Sequence, residues 1–173
     1  MKAKAEPKFD HIGLAVRDME KTLDFLTQFG VTLPPPSSNL SNFFKVRDCR
    51  PAGVKWALIP THRLENAMIE PLEPTRESYL SEFLKTRGDM SVAEIAFRVD
   101  DIEDFYDRVK KMGMTPLDED GHPLTDSKYF MVCTCCMPEK DQIKCFYLNI
   151  PLKPGDGPAI EILEYPPSWP TRG

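Results

Sequence analysis

The sequence predicts an α+β fold made of two copies of one strand–helix–strands unit, joined into a single curved, mostly antiparallel sheet, a half-barrel with helices on its outside. Three observations predict it. FDHIGLAVRDMEKTLDFLTQFGV near the start returns, altered, as VAEIAFRVDDIEDFYDRVKKMGM, with His11 falling on Glu94, Val16 on Val99, Asp18 on Asp101 and Gly30 on Gly113, each 83 positions apart (94 − 11 = 83). MIEPLEP and AIEILEY form a second pair, with Glu70 on Glu161 and Glu73 on Glu164, 91 apart (161 − 70 = 91). Two copies that fill one chain point to duplication of a half-domain rather than to a stacked array. In both copies, moreover, the hydrophobic period changes from two to 3.6 at the same place.

The first strand of each copy alternates. Ile12, Leu14 and Val16 make one face, with His11, Gly13 and Ala15 opposite; Ala93, Ile95, Phe97 and Val99 make one face, with Val92, Glu94, Ala96 and Arg98 opposite. The apolar faces should cover the helices that follow, so His11 and Glu94 point the other way. Asp18 and Asp101 are placed as helix N-caps. Met19, Leu23 and Leu26, and in the second copy Ile102, Tyr106 and Val109, form the buried helix stripes. Gly30 and Gly113 suit the left-handed residue that stops a helix, and Lys110 and Lys111 complement the second helix dipole. The later strands are expected at VKWALI and AMIEPLE, then at KYFMVCT, IKCFYLNI and AIEILEY. The larger second offset places a modest insertion in the second copy, near CTCCMPEKDQ.

A chain of 173 residues suits one domain. The modules are bounded at about 7–75 and about 90–166, with a proline-rich tail at 166–173. Hydrophobic residues at 41% and charged residues at 28% are ordinary globular usage, which sets disorder and membrane classes aside. A net charge of −5 with scattered Lys and Arg excludes nucleic acid as the default partner. No apolar run approaches the roughly 18 residues of a membrane span, and the start has no signal-peptide core, so a cytoplasmic protein is expected. Five cysteines, three of them in CTCC, form neither a disulfide framework nor a paired zinc motif, and reduced, mostly buried thiols are expected.

His11 with Glu94, and Glu70 with Glu161, occupy corresponding places in the two copies and would converge by pseudo-symmetry. A carboxylate facing into a barrel is unfavourable unless paired or coordinated, and a divalent cation would supply the counter-charge. Taken singly, each has an ordinary explanation. His11 could be a hydrogen-bonded strand-end residue, Glu70 could be solvent-facing on an edge strand, and Glu94 could pair with Arg98 on its own face. Glu161 has the strongest case, because apolar neighbours flank it. His122, in the Gly/Pro loop DEDGHPLT, is a possible substrate contact, and His62 reads as a turn residue. Lys45, Arg47 and Arg50 could receive an anionic tail, although scattered surface charge is the simpler reading. PPPSS is a stiff connector, and Trp169 in the tail is expected to pack against a neighbouring surface or subunit.

Through DHIGLAVRDMEKTLDF, IEPLEP, EIAFRVDDIEDF and GDGPAIEILEYP the chain resembles the vicinal-oxygen-chelate superfamily, and within it glyoxalase I and methylmalonyl-CoA epimerase. The resemblance implies paired βαβββ modules and a divalent metal held by one residue from each of four strands: His11, Glu70, Glu94 and Glu161. The third of these is usually histidine, in a motif of the form HHxAFxVDD, so Glu94 departs from the pattern. One histidine with three carboxylates is a hard site suited to Mn²⁺, Mg²⁺, Fe²⁺ or Co²⁺, with Ni²⁺ and Zn²⁺ admitted. The resemblance further implies proton abstraction next to a carbonyl, with Glu161 as base, by a metal-dependent isomerase, epimerase or lyase acting on a small metabolite or thioester. It also implies a homodimer. The alternatives are a non-catalytic drug binder of the same fold and an extradiol dioxygenase.

Overall fold

The computed structural model of the chain describes residues 6–31, 44–61, 67–132, 137–149 and 157–169. The connector PPPSS, His62 and Cys133, Cys135 and Cys136 lie outside them.

The elements follow the expected order. The first unit contains β1 (Lys8–Ala15), α1 (Met19–Gln28), β2 (Arg47–Cys49), β3 (Val54–Trp56), β4 (Ile59–Pro60) and β5 (Met68–Pro74). After a linking helix α2 (Tyr79–Arg87), the second contains β6 (Ser91–Arg98), α3 (Ile102–Lys111), β7 (Phe130–Val132), β8 (Ile143–Asn149) and β9 (Ala159–Glu164). The expected strand VKWALI is broken into β3 and β4. The connection β2–β3 spans 50–53, whereas β7–β8 spans 133–142 and holds a turn of 3₁₀ helix at Glu139–Asp141, so the second copy is the longer where an insertion was expected.

All nine described strands join one sheet, in the order β2-β3-β5-β1-β6-β9-β8-β7, with β4 added on β5. Parallel pairing occurs twice, at β1–β5 and β6–β9, in mirrored places, and every other pair is antiparallel. The same bond closes each parallel corner: Val16 N–H donates to Leu72 O and Val99 N–H to Leu163 O, both at 2.9 Å.

The second repeated glutamate explains how each helix is fixed to its sheet. Asp18 caps α1 through the Lys21 amide, and Glu73 accepts from Met19 N–H at 2.7 Å and from Lys55 Nζ at 2.8 Å. Asp101 caps α3 through the Asp104 amide, and Glu164 accepts from Ile102 N–H at 2.8 Å and from Lys144 Nζ at 3.0 Å. Each carboxylate thus satisfies first-turn amides that have no intrahelical acceptor. Gly30 and Gly113 follow the helices at φ 79° and 84°, the left-handed conformation that a Cβ disfavours.

Val99, Ile102, Phe105, Val109, Phe146 and Ile162 form the core under α3, and Leu26, Ala57 and Ile59 the smaller one under α1. A third cluster, including Trp56, Met68, Leu72, Leu80, Leu84, Ala96, Leu163 and Trp169, binds α2 and the tail to the sheet. The helix α2 is not among the elements that the repeat predicts. Ser78 caps it in a reciprocal box with Ser81, and Leu80 and Leu84 supply its buried stripe. Trp169 packs within the chain against Tyr165 and donates its indole N–H to Asp141 O at 2.8 Å.

Phe146 is completely buried and stacks against Phe105. Phe146→Ala should lower stability by about 3–5 kcal/mol, whereas Phe29→Ala on the exposed end of α1 should change it by less than about 0.5 kcal/mol; the midpoints of urea unfolding will tell.

Candidate metal centre

In a flat sheet, side chains on β5 and β9, three strand spacings apart, would stand about 14 Å from one another. Here one ligand atom from each of His11, Glu70, Glu94 and Glu161 falls within 4.8 Å of all the others. The curl of the central strands β5-β1-β6-β9 brings them together, and the pairing puts them on one face: Gly13 lies opposite both Glu70 and Glu94, and Ala96 lies opposite both His11 and Glu161.

His11 Nε2 is the hub. It stands 2.8 Å from Glu70 Oε2, 3.2 Å from Glu161 Oε2 and 3.4 Å from Glu94 Oε1. All four residues are buried, with at most 8% of any one exposed. Glu94, for which an ion pair with Arg98 was an alternative, directs its carboxylate into this cluster.

Two backbone devices make the cluster possible. Pairing of β1 with β6 skips Asp10, since Phe9 faces Phe97 and His11 faces Ala96. Such a bulge lets neighbouring residues escape strict alternation. The Asp10 carboxylate consequently lies 3.0 Å from His11 Nδ1 and accepts the Tyr165 hydroxyl at 2.8 Å. The Tyr165–Asp10–His11 chain holds the Nδ1 proton and turns Nε2 toward the glutamates, the orientation a metal-ligating histidine needs. The second device is Gly13. A Cβ there would stand 2.1 Å from Glu94 Cγ and 2.6 Å from its Cδ, so the glutamate crosses β1 only because Gly13 has no side chain.

Three carboxylates around one imidazole impose an electrostatic conflict. Burial alone would lower the His11 pKa, but the field of Glu70 and hydrogen bonds to Asp10, Glu161 and Glu70 hold it well above its ordinary value. Burial drives Glu70 well up, with only partial relief from His11. Burial, followed by the charge of Glu94, raises Glu161. Glu94 alone is lowered, because hydrogen bonds with His11 and Glu70 outweigh its desolvation. A divalent cation would relieve this conflict better than protons do. The donor set, one nitrogen and three oxygens from buried residues, fits such an ion.

The surroundings of the cluster are not apparent from the repeat. Cys145 Sγ lies 3.0 Å from Glu161 Oε1 and, with both sulfur and carboxylate buried, the thiol donates. Burial, and then the Glu161 charge, raises the Cys145 pKa well above its usual range and keeps it a thiol. Cys145 and Cys49 are both buried, as the sequence leads one to expect of most of the cysteines. Alternation in IKCFYLNI places Cys145 and Tyr147 on one face, a signal that could have found both.

A cavity of about 270 Å³ opens over the cluster, with Glu70, Glu94 and Glu161 on its floor and Trp56, Tyr79, Phe130 and Tyr147 among its walls. His122 is exposed beside Asp118 and is not part of this lining. Lys45 and Arg50 are exposed, whereas Arg47 is buried with its guanidinium 4.8 Å above the Trp56 ring.

Two outcomes follow. Gly13→Ala should push the Glu94 carboxylate out of the cluster and weaken divalent-metal affinity roughly tenfold or more, measured by competition with a chelating dye. The raised His11 pKa contributes stability that is complete below the ordinary 6.5 and is lost as pH rises through the folded value. Carboxyls held up by burial likewise stabilise at low pH and cease to do so as pH rises past 4.5. Glu94 runs the opposite way. The metal-free protein should therefore melt at a lower temperature at about pH 8 than at about pH 5.5, and divalent metal should reverse the order, because the ligands bind it deprotonated.

Residues 8–142 match the model of the Glyoxalase/Bleomycin resistance protein/Dioxygenase superfamily. Among solved structures, the chain is similar to methylmalonyl-CoA epimerase from Mycobacterium tuberculosis, at 20% identity over 96% of this chain and 94% of that one, with a TM-score of 0.67. It is similar to a variant of the Streptomyces coelicolor methylmalonyl-CoA epimerase in complex with 2-nitronate-propionyl-CoA, at 20% identity over 91% and 96% of the two chains, TM-score 0.64. A hypothetical protein from Bacillus halodurans shows 23% identity over 96% and 99%, TM-score 0.64. No curated protein matches. Identities this low speak for the fold alone, but the family model covers more than half of the sequence. The chain belongs to the glyoxalase/bleomycin resistance protein/dioxygenase superfamily, the vicinal-oxygen-chelate fold that its internal repeat and motifs resemble.

Proposed function

We propose that the protein is a metal-dependent isomerase, epimerase or lyase that removes a proton from the carbon next to a carbonyl of a small molecule. One observation carries the reading: His11, Glu70, Glu94 and Glu161, drawn from four strands of two repeated units, bring their ligand atoms within 4.8 Å of one another at the floor of a cavity. His11 Nε2 and oxygens of the three glutamates are the ligands. Their hard, oxygen-rich character favours Mn²⁺, Mg²⁺, Fe²⁺ or Co²⁺. When bound, such an ion polarises a carbonyl oxygen and stabilises the negative charge that develops there.

Glu161 is the base. Its Oε1 is held by the Cys145 thiol, and Oε2 lies with the other ligand oxygens beside His11. Three carboxylates exceed the charge of one divalent ion by one, so one of them is free to leave it and take a proton. Glu70 occupies the matching place on β5, and a proton returned to the opposite side of the same carbon would give epimerisation, whereas return by Glu161 to the adjacent atom would give isomerisation. Tyr79 and Tyr147 border the cavity, and burial, followed by the nearby glutamate charges, raises both phenols well above their usual range. They remain protonated and serve as hydrogen-bond donors to a substrate oxygen.

The aromatic walls favour a second reading, a binder of ring-containing compounds without chemistry. An extradiol dioxygenase is less well supported, since the cluster contains a single histidine.

The test is elemental analysis after metal supplementation, together with exchange of the substrate α-proton for deuterium followed by NMR across a panel of small carbonyl compounds. Stoichiometric divalent metal and exchange that falls about 10²–10⁴-fold in Glu161→Gln are expected. Absence of metal, or exchange indifferent to the substitution, would defeat the proposal.

A further inference from the structure

The cavity has a lip as well as a floor. The exposed residues of its lining are Arg76 and Glu77, at the entrance to α2, and Glu119 and Asp120, from the loop after α3. Glu77 lies 4.0 Å from Lys85. Asp118, next to the acidic pair, accepts from the backbone amides of Asp120 and His122, with the His122 ring 3.6 Å away. Arg76 is the single cation among the described lining residues, and its stem lies over Gly53, where a Cβ would stand 2.2 Å from Arg76 Cγ. Loop carboxylates thus outnumber the cation facing them. Partial desolvation, and after it repulsion by Asp120 and Asp118, raises the Glu119 carboxyl against the opposing pull of Arg76.

The floor carries the same sign. Three carboxylates and a neutral imidazole leave one negative charge even with a divalent ion in place. Between floor and lip the walls are uncharged. Phe130 and Tyr147 stack with centroids 5.8 Å apart, and the Trp56 ring, stacked against the Arg47 guanidinium, is a further flat surface. The hydroxyls of Tyr79 and Tyr147 complete the walls.

We infer that the substrate is an uncharged or cationic carbonyl compound with a flat, apolar body, and that the acidic lip of Glu119 and Asp120 rejects anionic compounds such as acyl-CoA thioesters and dicarboxylates. This rests on the reading of the cavity as a carbonyl site. An anion entering the cavity would meet the same sign of charge twice, first from the exposed carboxylates of the lip and then at the buried floor, where low dielectric strengthens repulsion. A cation would meet attraction at the lip, and the aromatic faces welcome either a cation or a ring. The inference departs from the epimerase neighbours, whose solved complexes hold CoA compounds.

The test uses the full chain loaded with Mn²⁺ and three benzohydroxamates that differ only at the para position: hydrogen, carboxylate or trimethylammonium. Their dissociation constants are measured by calorimetry at low ionic strength, where surface charge is least screened. The parent and trimethylammonium compounds should bind roughly tenfold or more tightly than the carboxylate, and the gap should shrink to about threefold in a Glu119→Gln/Asp120→Asn variant. A carboxylate probe that binds as tightly as the parent, a gap that survives the double substitution, or failure of all three to bind the manganese-loaded protein overturns the inference. Metal content is measured on the same samples, and the matching benzamides, which need no metal, are run beside them. Stoichiometric manganese without charge discrimination defeats this inference alone. A charge order kept by the benzamides in protein that takes up no metal defeats only the metal reading.

Discussion

The structure depends on keeping three carboxylates around one imidazole nitrogen in a place almost closed to water. Desolvated anions at this distance repel, and proteins tolerate them only with protons, cations or dense hydrogen bonding. Asp10, Tyr165 and Cys145 supply hydrogen bonds around the cluster, and protons supply the charge when no ion does. Such an arrangement trades stability for a function, since apolar residues in the same four places would make a better core. It resembles a functional site in the physical sense: strongly displaced protonation, tightly clustered and set on rigid strands.

The duplicated framework makes this affordable. The two units meet at β1–β6, and each sends a parallel strand, β5 or β9, to the far side of its first strand. The repeated glutamates Glu73 and Glu164 tie the helix starts to those outer strands, so the curl of the sheet is braced at equivalent points in both halves. The bracing matters because the site is made of curvature. A small flattening would separate Glu70 from Glu161, and the cores under α1 and α3 resist it.

Departures from strict repetition are where the site acquires its individual chemistry. The bulge at Asp10 has its carboxylate behind the histidine, and Gly13 opens the path for Glu94, the residue that replaces the histidine usual in this superfamily. Between the two units, α2 brings Tyr79 to the cavity and Arg76 to its lip, and the tail returns Trp169 to the same core. The β7–β8 hairpin gives the cavity Phe130 and Tyr147. The four-residue cluster is a property of the repeat, the aromatic walls come from its outer strands β3, β7 and β8 and from α2, and the lip lies outside the repeated strands.

How much was legible follows from the same division. The repeat by itself determined the strand–helix–strands order, the caps at Asp18 and Asp101, the glycine stops and the four residues that meet, because local periodicity and pairs at constant offset are properties of sequence. It even carried the second glutamate pair, whose role as a helix anchor needed only the register of β5 and β9. It did not reveal that Asp10 shares a side with His11, since alternation predicts the opposite and a bulge is decided by pairing across the sheet. Nor did it reveal α2, despite Ser78, Leu80 and Leu84, or Cys145 beside Glu161, which is a contact between different strands. His122 shows the converse: a loop position suggestive in sequence lies, in three dimensions, outside the cavity lining. Residue types and spacing set what could converge; only the curl of the sheet, by bringing strands β5 and β9 within reach of one histidine, decided that it does.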